Sequence, residues 1–441
     1  MSKPATNNLL RHTPLQRPRS GMRILYLCHR WPYPPDKGER IRAFHQIQGL
    51  ARRHEVHLLS LDDGPAPDLR PLQELCKRVE VFPIQRSAGY LRAVLGALRP
   101  RPLTLSFFES DALRRRLEEL AKSEHFDAVI AYSSSMAPYA GLLPDVPAVL
   151  DMVDVDSAKW EQYSRHAPLP LRPVYALEAR RLRAYEAEVS GRFERVVLAT
   201  GNEARLLRSF APLARTAAIP NGIDLDFFQP LDLPKAESPT LVFTGQMDYF
   251  ANIDGVVHFV REVFPRLRRR FSGLQLLIVG RSPVRAVREL AEVDGVHVTG
   301  AVGDVRPFLS RSWVFVAPLR IAQGVQNKVL EAMASNLPVV CSGRVFAGLS
   351  DGGFEAGRDV RVADGPEAME TAITGLLEDP EERERLAGCA RQRLPLAYRW
   401  ATHVERFEEL LGRAVRPVEA IPLRAPEVQV EEPVAEGARS A

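Results

Sequence analysis

The chain has 441 residues, of which 26% are charged, and its net charge at pH 7 is +4. This length predicts two or three domains, and two large α/β domains would fit. So small a net charge gives no electrostatic reason to expect nucleic acid as a partner. The four cysteines form no CxxC or Cys/His cluster, which favours a reducing compartment and argues against a metal site.

The first half of the chain alternates short apolar runs with helical patterns. The apolar runs predict strands at 23–29, 54–61, 79–84, 128–132, 148–152 and 195–199. Helices are predicted from about residue 39, over 111–123 and over 172–192. Strands and helices in alternation indicate right-handed βαβ units around a parallel sheet.

A second alternation follows residues 229–239, which are rich in proline and acidic residues and are predicted to be a linker. Its predicted strands are 241–244, 274–279, 296–299, 314–317, 338–341 and 360–362, and its helices run from 254–270 to 369–377. Two consecutive Rossmann-like units predict a cleft between them, with ligands at the C-terminal ends of the strands.

These patterns divide the chain into two domains with flanking segments. We expect residues 1–21 and 415–441 to be disordered, because they are polar and lack periodicity. The N-terminal domain is predicted over 22–228, the C-terminal domain over 240–398, and a helix over 399–414 that can pack back towards the N-terminal domain. No signal peptide and no spanning helix of roughly 20 apolar residues is recognised, so we expect a cytoplasmic protein.

Residues 324–340 combine a loop, a helix and a buried strand. The helix carries two charges, Lys328 and Glu331, three residues apart and therefore on one face. Just before it, Gly324 lets backbone approach a ligand, and the helix N-terminus offers free N–H groups. A cation, open amides and a carboxylate suit a nucleoside diphosphate. The alternative is an exposed ion pair that contributes tenths of a kcal/mol to stability.

Several enzyme classes are disfavoured by motifs that the sequence lacks. No GxGxxG follows a predicted strand, which argues against a nicotinamide or flavin enzyme. No GxxxxGK[ST], GxSxG or HExxH is present either, which disfavours P-loop ATPases, α/β hydrolases and zinc proteases.

The order of several short motifs resembles the donor domain of retaining GT-B glycosyltransferases of the family 4 type. The turn 220–224 (PNGID) looks like the NG[IV]D element of that family. Residues 27–42 and 151–160 are similar to the sugar transferases found with exosortase/PEP-CTERM exopolysaccharide systems of bacteria. The likeness runs from about residue 22 to 412, and its donor-domain motifs are 243–249 (FTGQMDY) with Asn252, 278–280 (IVG), 298–300 (VTG), 316–319 (VAPL) and 324–340.

The resemblance implies transfer of a sugar from a nucleotide-diphosphate donor to a glycan or lipid-linked acceptor, with retention at the anomeric carbon. It places the acceptor in the N-terminal domain and the donor nucleotide in the C-terminal domain, and implies no metal or other cofactor. Lys328 would neutralise the diphosphate and Glu331 would hold the ribose. The remaining donor-binding residues implied by the family pattern are Gly38, Gly245, Gln246, Gln323 and Gly324.

The chain departs from the family pattern in three places. Gln323 stands where family members usually carry a glutamate, and the paired glycines of the first loop are reduced to Lys37-Gly38. The N-domain histidine has no clear match, and an aspartate cluster at 151, 154 and 156 stands in that region. A missing base is tolerable, because in the family's chemistry the leaving diphosphate itself takes the acceptor proton.

Asp154 and Asp156 are the candidates for orienting the acceptor or the sugar hydroxyls, and with Lys328 they form the predicted catalytic set. The alternative for Asp156 is that Asp156-Ser157 caps the helix that carries Lys159 and Trp160.

One segment bears on the acceptor. Residues 90–98 (YLRAVLGAL) place apolar residues on one helical face with arginines around it. Such a segment can lie on an anionic bilayer, where lipid-linked acceptors reside, or it can be a core-facing helix with solvated arginines.

Two other functions share the donor site. A nucleotide-sugar epimerase of GT-B fold needs no acceptor. A non-catalytic nucleotide-sugar-binding protein would explain Gln323 and the missing histidine.

Overall fold

The computed structural model describes residues 21–36, 38–85, 87, 89, 101–322 and 324–415. Two sheets organise this part of the chain, and their paired strands are all parallel. The two Rossmann-like sheets predicted from the sequence are therefore confirmed. The strands of the first sheet are β1 (Arg23–Cys28), β2 (Glu55–Asp62), β3 (Arg78–Pro83), β4 (Ala128–Tyr132), β5 (Ala148–Val153), β6 (Arg195–Leu198) and β7 (Thr216–Ala218). Those of the second are β8 (Thr240–Thr244), β9 (Gln275–Val279), β10 (Val296–Gly300), β11 (Val314–Ala317), β12 (Val339–Cys341) and β13 (Arg361–Val362).

Helices connect the strands and cover the sheets. In the first half they are α1 (Gly38–Leu50), α2 (Arg70–Gln73), α3 (Leu103–Phe107), α4 (Asp111–Ser123), α5 (Ala137–Ala140), α6 (Asp156–His166), α7 (Arg172–Ser190) and α8 (Gly201–Phe210). In the second half they are α9 (Phe250–His258), α10 (Phe264–Arg270), α11 (Arg285–Arg288), α12 (Arg306–Arg311), α13 (Asn327–Ala334), α14 (Gly343–Ala347), α15 (Pro366–Glu378), α16 (Pro380–Ala397) and α17 (Trp400–Val415).

The strand orders place a ligand crevice at the same edge of both sheets. The first sheet runs β3-β2-β1-β4-β5-β6-β7 and the second β10-β9-β8-β11-β12-β13. In each, the order reverses direction beside its first strand, so a crevice opens beyond the C-terminal ends of β1 and β4 and of β8 and β11. Loops that follow these strands therefore carry the candidate site.

Burial on both faces explains why the strands read as continuous apolar runs. Alternate residues of β1 enter two separate apolar clusters, with Leu25 and Leu27 on one face of the sheet and Ile24 and Tyr26 on the other. A third apolar cluster packs around the second sheet, and its members include Leu241 and Tyr398.

Helix α17 lies against α1 of the first half. Its residues Phe407 and Leu411 belong to the apolar cluster on one face of the first sheet. At Gly49 a Cβ atom would lie 2.6 Å from Val404 Cγ1, so the absence of a side chain on α1 permits this close packing. Arg53, an exposed arginine just after the end of α1, adds an ion pair between its Nη1 and Glu408 Oε2 of α17 at 2.8 Å.

Three local features differ from the sequence prediction. Strand β7 was not predicted, because Thr216–Ala218 is too short to show alternation. The helix predicted over 254–270 begins at Phe250 and is interrupted by a π-helical turn, Phe259–Val263. The predictions for residues 1–20, 90–98 and 416–441 and for Gln323 lie outside the described residues. Within those described, no helix is both long and apolar enough to span a bilayer.

Candidate active site in the interdomain cleft

Two glycines end the neighbouring strands β8 and β9 and bring their backbones together. Gly245 and Gly280 both have φ of +156°, a backbone conformation that residues with a side chain rarely adopt. A Cβ atom on Gly280 would lie 1.6 Å from the Gly245 carbonyl oxygen. A Cβ atom on Gly245 would lie 3.1 Å from Lys328 Nζ. Gly245 is therefore required to be glycine, and its backbone lies against the Lys328 ammonium.

Lys328, in the first turn of α13, is held by residues of strand β8 and helix α9. Its Nζ donates a hydrogen bond to Asn252 Oδ1 and lies 4.8 Å from the centroid of the Phe243 ring. Burial lowers the pKa of Lys328 to about 7, and the negative charge of Glu331 opposes this shift. Burial likewise raises the pKa of Glu331 to about 7, opposed by Lys328. The ammonium is directed at Asn252 rather than solvent, which argues against an exposed Lys328–Glu331 ion pair.

This arrangement favours the binding of an anion. A partly buried lysine with a lowered pKa lacks a counter-charge strong enough to compensate for its lost hydration. A diphosphate placed against Nζ and the Gly245 backbone would supply that charge through charge-assisted hydrogen bonds. The arrangement around Lys328 therefore suits an anionic ligand.

Asp154 faces this site from the N-terminal half. The preceding residue, Val153, has φ of +68°, and the pairing of β5 with β6 shifts register there. A positive φ on a β-branched residue is strained, and such strain often accompanies a functional position. Asp154 Oδ1 has no hydrogen-bond partner and would lie 2.5 Å from a Cβ atom on Gly324. Burial raises the pKa of Asp154 to about 6, whereas Lys159 lowers it. The structure thus brings Asp154 and Gly324 together.

Asp156 does not cap its helix, so the capping interpretation is wrong. The N-cap of α6 is Val155, without a side-chain cap, and Asp156 is already helical. Carboxylates from two other helices take that role: Glu203 Oε2 accepts from Val155 N at 2.7 Å, and Glu186 Oε1 accepts from Ser157 N at 3.0 Å. Asp156 Oδ2 instead lies 3.5 Å from a serine hydroxyl, Ser134 Oγ.

The carboxylates around the start of α6 are desolvated together. Burial raises the pKa of Glu186 to about 8, and the nearby Asp156 charge raises it further. Burial raises the pKa of Glu203 to about 7, with Asp154 adding to the shift. Among the described carboxylates of this cluster, Asp154 has a buried oxygen, Oδ1, without a hydrogen-bond partner, so it can accept a hydrogen bond from a ligand hydroxyl.

Asp151, the first aspartate of the cluster, is a structural residue. It is fully buried. Arg42 Nε and Nη2 donate to its two oxygens at 2.8 and 3.0 Å, and Gln46 Nε2 donates at 2.6 Å. Arg42 Nη1 also donates to Asn221 Oδ1 at 3.1 Å, and Asn221 Nδ2 donates to Asn327 Oδ1 at 3.1 Å. This network connects the first sheet to the start of α13. Sequence analysis missed it, although Arg42 and Gln46 fall on the buried face of α1.

The first loop meets the donor side of the cleft. Gly38 starts α1, and a Cβ atom there would lie 4.0 Å from Asn327 Nδ2. Asp36 Oδ2 pairs with Arg281 Nη1 at 2.5 Å. With its amide oxygen turned towards Arg281, Gln246 accepts from Nε at 2.8 Å and Nη2 at 3.1 Å. The predicted residues Gly38 and Gln246 therefore lie at the cleft, with Arg281 and Asp36 as further residues there.

Two family profiles match consecutive parts of the chain. Residues 38–227 match the family described as "Glycosyltransferase Family 4", and residues 238–379 match "Glycosyl transferases group 1". Each half of the chain is thus similar to a glycosyltransferase domain. No group of three or more His, Cys, Asp or Glu side chains suited to a metal ion occurs among the described residues of these domains.

Curated proteins similar to this chain include two mycobacterial mannosyltransferases. The "GDP-mannose-dependent alpha-(1-6)-phosphatidylinositol monomannoside mannosyltransferase" of Mycobacterium tuberculosis is 29% identical over 241 residues, covering 47% of this chain and 58% of the relative. The "Phosphatidyl-myo-inositol mannosyltransferase" of Mycolicibacterium smegmatis is 31% identical over 232 residues, covering 50% of this chain and 56% of the relative. The chain thus spans less than two thirds of the length of either relative.

Solved structures with the same fold cover most of the chain. A sucrose-phosphate synthase of Thermosynechococcus elongatus superposes with a TM-score of 0.66 at 18% identity, covering 89% of this chain and 98% of that one. The Anabaena protein HepE, solved in complex with UDP and glucose, superposes with a TM-score of 0.62 at 15% identity, covering 89% of this chain and all of that one (100%). At these identities the likeness establishes the GT-B fold, which confirms the predicted fold class.

Proposed function

We propose that the chain is a glycosyltransferase that moves a sugar from a nucleoside-diphosphate donor to an acceptor. The observation that carries the proposal is Lys328, whose ammonium lies against the Gly245 backbone with a lowered pKa. The donor nucleotide binds the C-terminal domain, 240–398, with Glu331 at the ribose and Gln246 and Gly324 along the rim. The acceptor binds the N-terminal domain, 22–228, which approaches the diphosphate through Gly38.

The proposed reaction retains the anomeric configuration. The bond from the anomeric carbon to the leaving phosphate oxygen breaks, and a bond to the acceptor oxygen forms on the same face of the sugar. The acceptor proton moves to the leaving phosphate oxygen, so no protein base is needed. Lys328 stabilises the charge that develops on the diphosphate, which is catalytic because that charge grows in the transition state.

Asp154 has a positioning role in this reaction. Its unpartnered oxygen faces Gly324, the residue that leads into the helix of Lys328. A hydroxyl of the transferred sugar or of the acceptor supplies the missing donor, which fixes the reacting groups relative to the diphosphate. Asp156 supports this geometry through its charge, which acts on Asp154.

The donor and acceptor classes follow from likeness alone. One relative is described as GDP-mannose-dependent and as acting on a phosphatidylinositol monomannoside, and HepE was solved with UDP and with UDP-glucose. We therefore propose a nucleoside-diphosphate hexose as donor and a glycan or lipid-linked molecule as acceptor. We propose that the transfer takes place at the cytoplasmic side of the inner membrane, in bacterial exopolysaccharide synthesis. The reaction proceeds without a metal ion, because Lys328 takes the place of a cation at the diphosphate.

The proposal is tested by incubating the protein with a panel of labelled nucleotide sugars, with and without bacterial lipid extract. Sugar transfer releases nucleoside diphosphate and labels a glycan or lipid only when acceptor is present. An epimerase changes the donor sugar without acceptor, and a binding protein leaves every donor intact while raising its own melting temperature. Either of the last two outcomes overturns the proposal. Lys328→Ala serves as the matched control, because it removes the diphosphate contact.

A further inference from the structure

The turn between α6 and α7 exposes apolar side chains to solvent. Leu169, Leu171 and Val174 are 74%, 42% and 44% exposed. They are three of the eight strongly exposed large apolar residues in the described part of the chain, and they fall within six residues. Prolines at 168, 170 and 173 alternate with them and restrict the backbone, so little conformational entropy is lost when the turn meets a partner. We call residues 168–174 the apolar tip.

The surroundings of the apolar tip are basic. Residues 162–185 contain five arginines and a single acidic residue, Glu178. Glu178 is 1% exposed, and its carboxylate accepts from Leu103 N and Thr104 N at 2.7 and 2.9 Å. Glu161, one residue before this stretch, is exposed and pairs with Arg165. The exposed charge that remains around the apolar tip comes from arginines such as Arg172, Arg180 and Arg183, although the whole chain carries only +4.

Aromatic side chains connect the apolar tip to the cleft. On α6, Trp160 lies 5.1 Å from Tyr175 at the start of α7, measured between ring centroids. The hydroxyl of Tyr163, on the same helix, donates a hydrogen bond to the hydroxyl oxygen of Tyr249 in the C-terminal half at 2.9 Å. Tyr249 is 42% exposed. Helix α6 begins two residues after Asp154 and ends two residues before the apolar tip. It therefore connects the acceptor side of the cleft to the apolar tip.

We propose that the apolar tip docks on an anionic lipid bilayer. Isolated leucines among arginines suit the boundary between acyl chains and anionic headgroups, and tyrosine and tryptophan are the side chains favoured at that depth. A protein partner would instead require a continuous apolar patch with mixed charge around it. Docking sets the Asp154 side of the cleft towards the membrane. That last consequence rests on the proposed function, whereas docking itself does not.

Vesicle sedimentation of the full chain tests the docking without donor or acceptor. We expect partition onto phosphatidylcholine vesicles containing one third phosphatidylglycerol, weaker partition onto pure phosphatidylcholine, and release by salt. The double variant Leu169→Ser/Leu171→Ser should weaken partition at least about tenfold, and Arg172→Glu several-fold, since each arginine near such a surface contributes about fivefold. Both changes fall on exposed residues, so folding should be retained and is checked by thermal melting.

Leu396→Ser is the matched control, because Leu396 is 80% exposed on a helix of the C-terminal half and should leave partition unchanged. The proposal is overturned if wild-type protein ignores anionic vesicles, or if the double variant binds them as wild type does. The latter result would assign binding to another segment. Sugar transfer without vesicle binding would refute docking alone, and vesicle binding without any turnover of nucleotide sugars would refute the proposed function alone.

Discussion

Replacing Lys328 tests the diphosphate site. In the structure its ammonium contacts Asn252 and the face of Phe243, and nothing else in those contacts carries a charge. In the free protein, Lys328→Ala therefore removes one hydrogen bond to an uncharged amide. In the complex it also removes a charge-assisted contact with the diphosphate. We expect a small change in folding stability. The complex should lose about 1.5–3 kcal/mol, which corresponds to about a ten- to 150-fold loss in kcat/KM.

The pH dependence of donor binding gives a second, independent prediction. The pKa of Lys328 is lowered to about 7 in the free protein, and a bound diphosphate must raise it. Above pH 7 donor binding therefore takes up a proton, and wild-type donor affinity should weaken by up to about tenfold per pH unit. A nucleotide-sugar diphosphate does not titrate in this range. Lys328→Arg stays charged, so its affinity should not fall above pH 7 as that of the wild type does. It should be weaker overall, because a planar guanidinium does not fit the ammonium's place beside Gly245.

Isothermal titration of a nucleotide sugar between pH 6 and pH 9, with steady-state kinetics, measures both effects. Lys235→Ala is the matched control: burial also lowers the pKa of Lys235, to about 8, but its Nζ donates to Ser312 O at 2.7 Å, far from the cleft in the linker region. It should change melting temperature and leave donor affinity alone. Wild-type kcat/KM in Lys328→Ala would refute the assignment of the diphosphate site.

Four further outcomes are expected. Glu331→Ala should raise KM for the donor with kcat nearly unchanged, because the ribose gains no charge during the reaction. Asp154→Asn should keep the melting temperature but lower kcat/KM about tenfold or more in steady-state assays, since a carboxylate accepts a hydroxyl more strongly than an amide does. Glu186 has its pKa raised from 4.5 to about 8, so its contribution to stability is present below pH 4.5 and is lost as pH rises through 8, at about 1.4 kcal/mol per unit. Urea unfolding of Glu186→Gln should lack this loss; an equal loss in the variant would contradict the cause. Turnover should survive EDTA, and activity restored by manganese or magnesium after chelation would show that a metal is required.

The parallel sheets were predictable because strands that are buried on both faces appear in the sequence as short apolar runs. Every strand of the two sheets except β7 lies in a short apolar run, and segments with helical periodicity lie between the runs. The two charges of α13 also stood out, because the rest of that helix is uncharged, whereas Gly245 was identified only through the resemblance of residues 243–249 to a family motif. These signals are local, so a single segment carries them.

The contacts that make the site were not predictable from local patterns. Lys328 meets Asn252, which is 76 residues away in the chain. The carboxylate of Glu186 reaches Ser157 from another helix, and Asp156 is not the cap that the alternative interpretation proposed. Asp154 faces Gly324 because Val153 adopts a left-handed conformation that no sequence rule assigns to valine. Tertiary packing decides such contacts.

A crystal structure of the protein with a bound nucleoside diphosphate tests the central claim most directly. The account predicts a β-phosphate oxygen within about 3 Å of Lys328 Nζ, with the phosphates against the Gly245 backbone. The ribose should lie at Glu331. A diphosphate bound elsewhere, with Lys328 still directed at Asn252 alone, would contradict it.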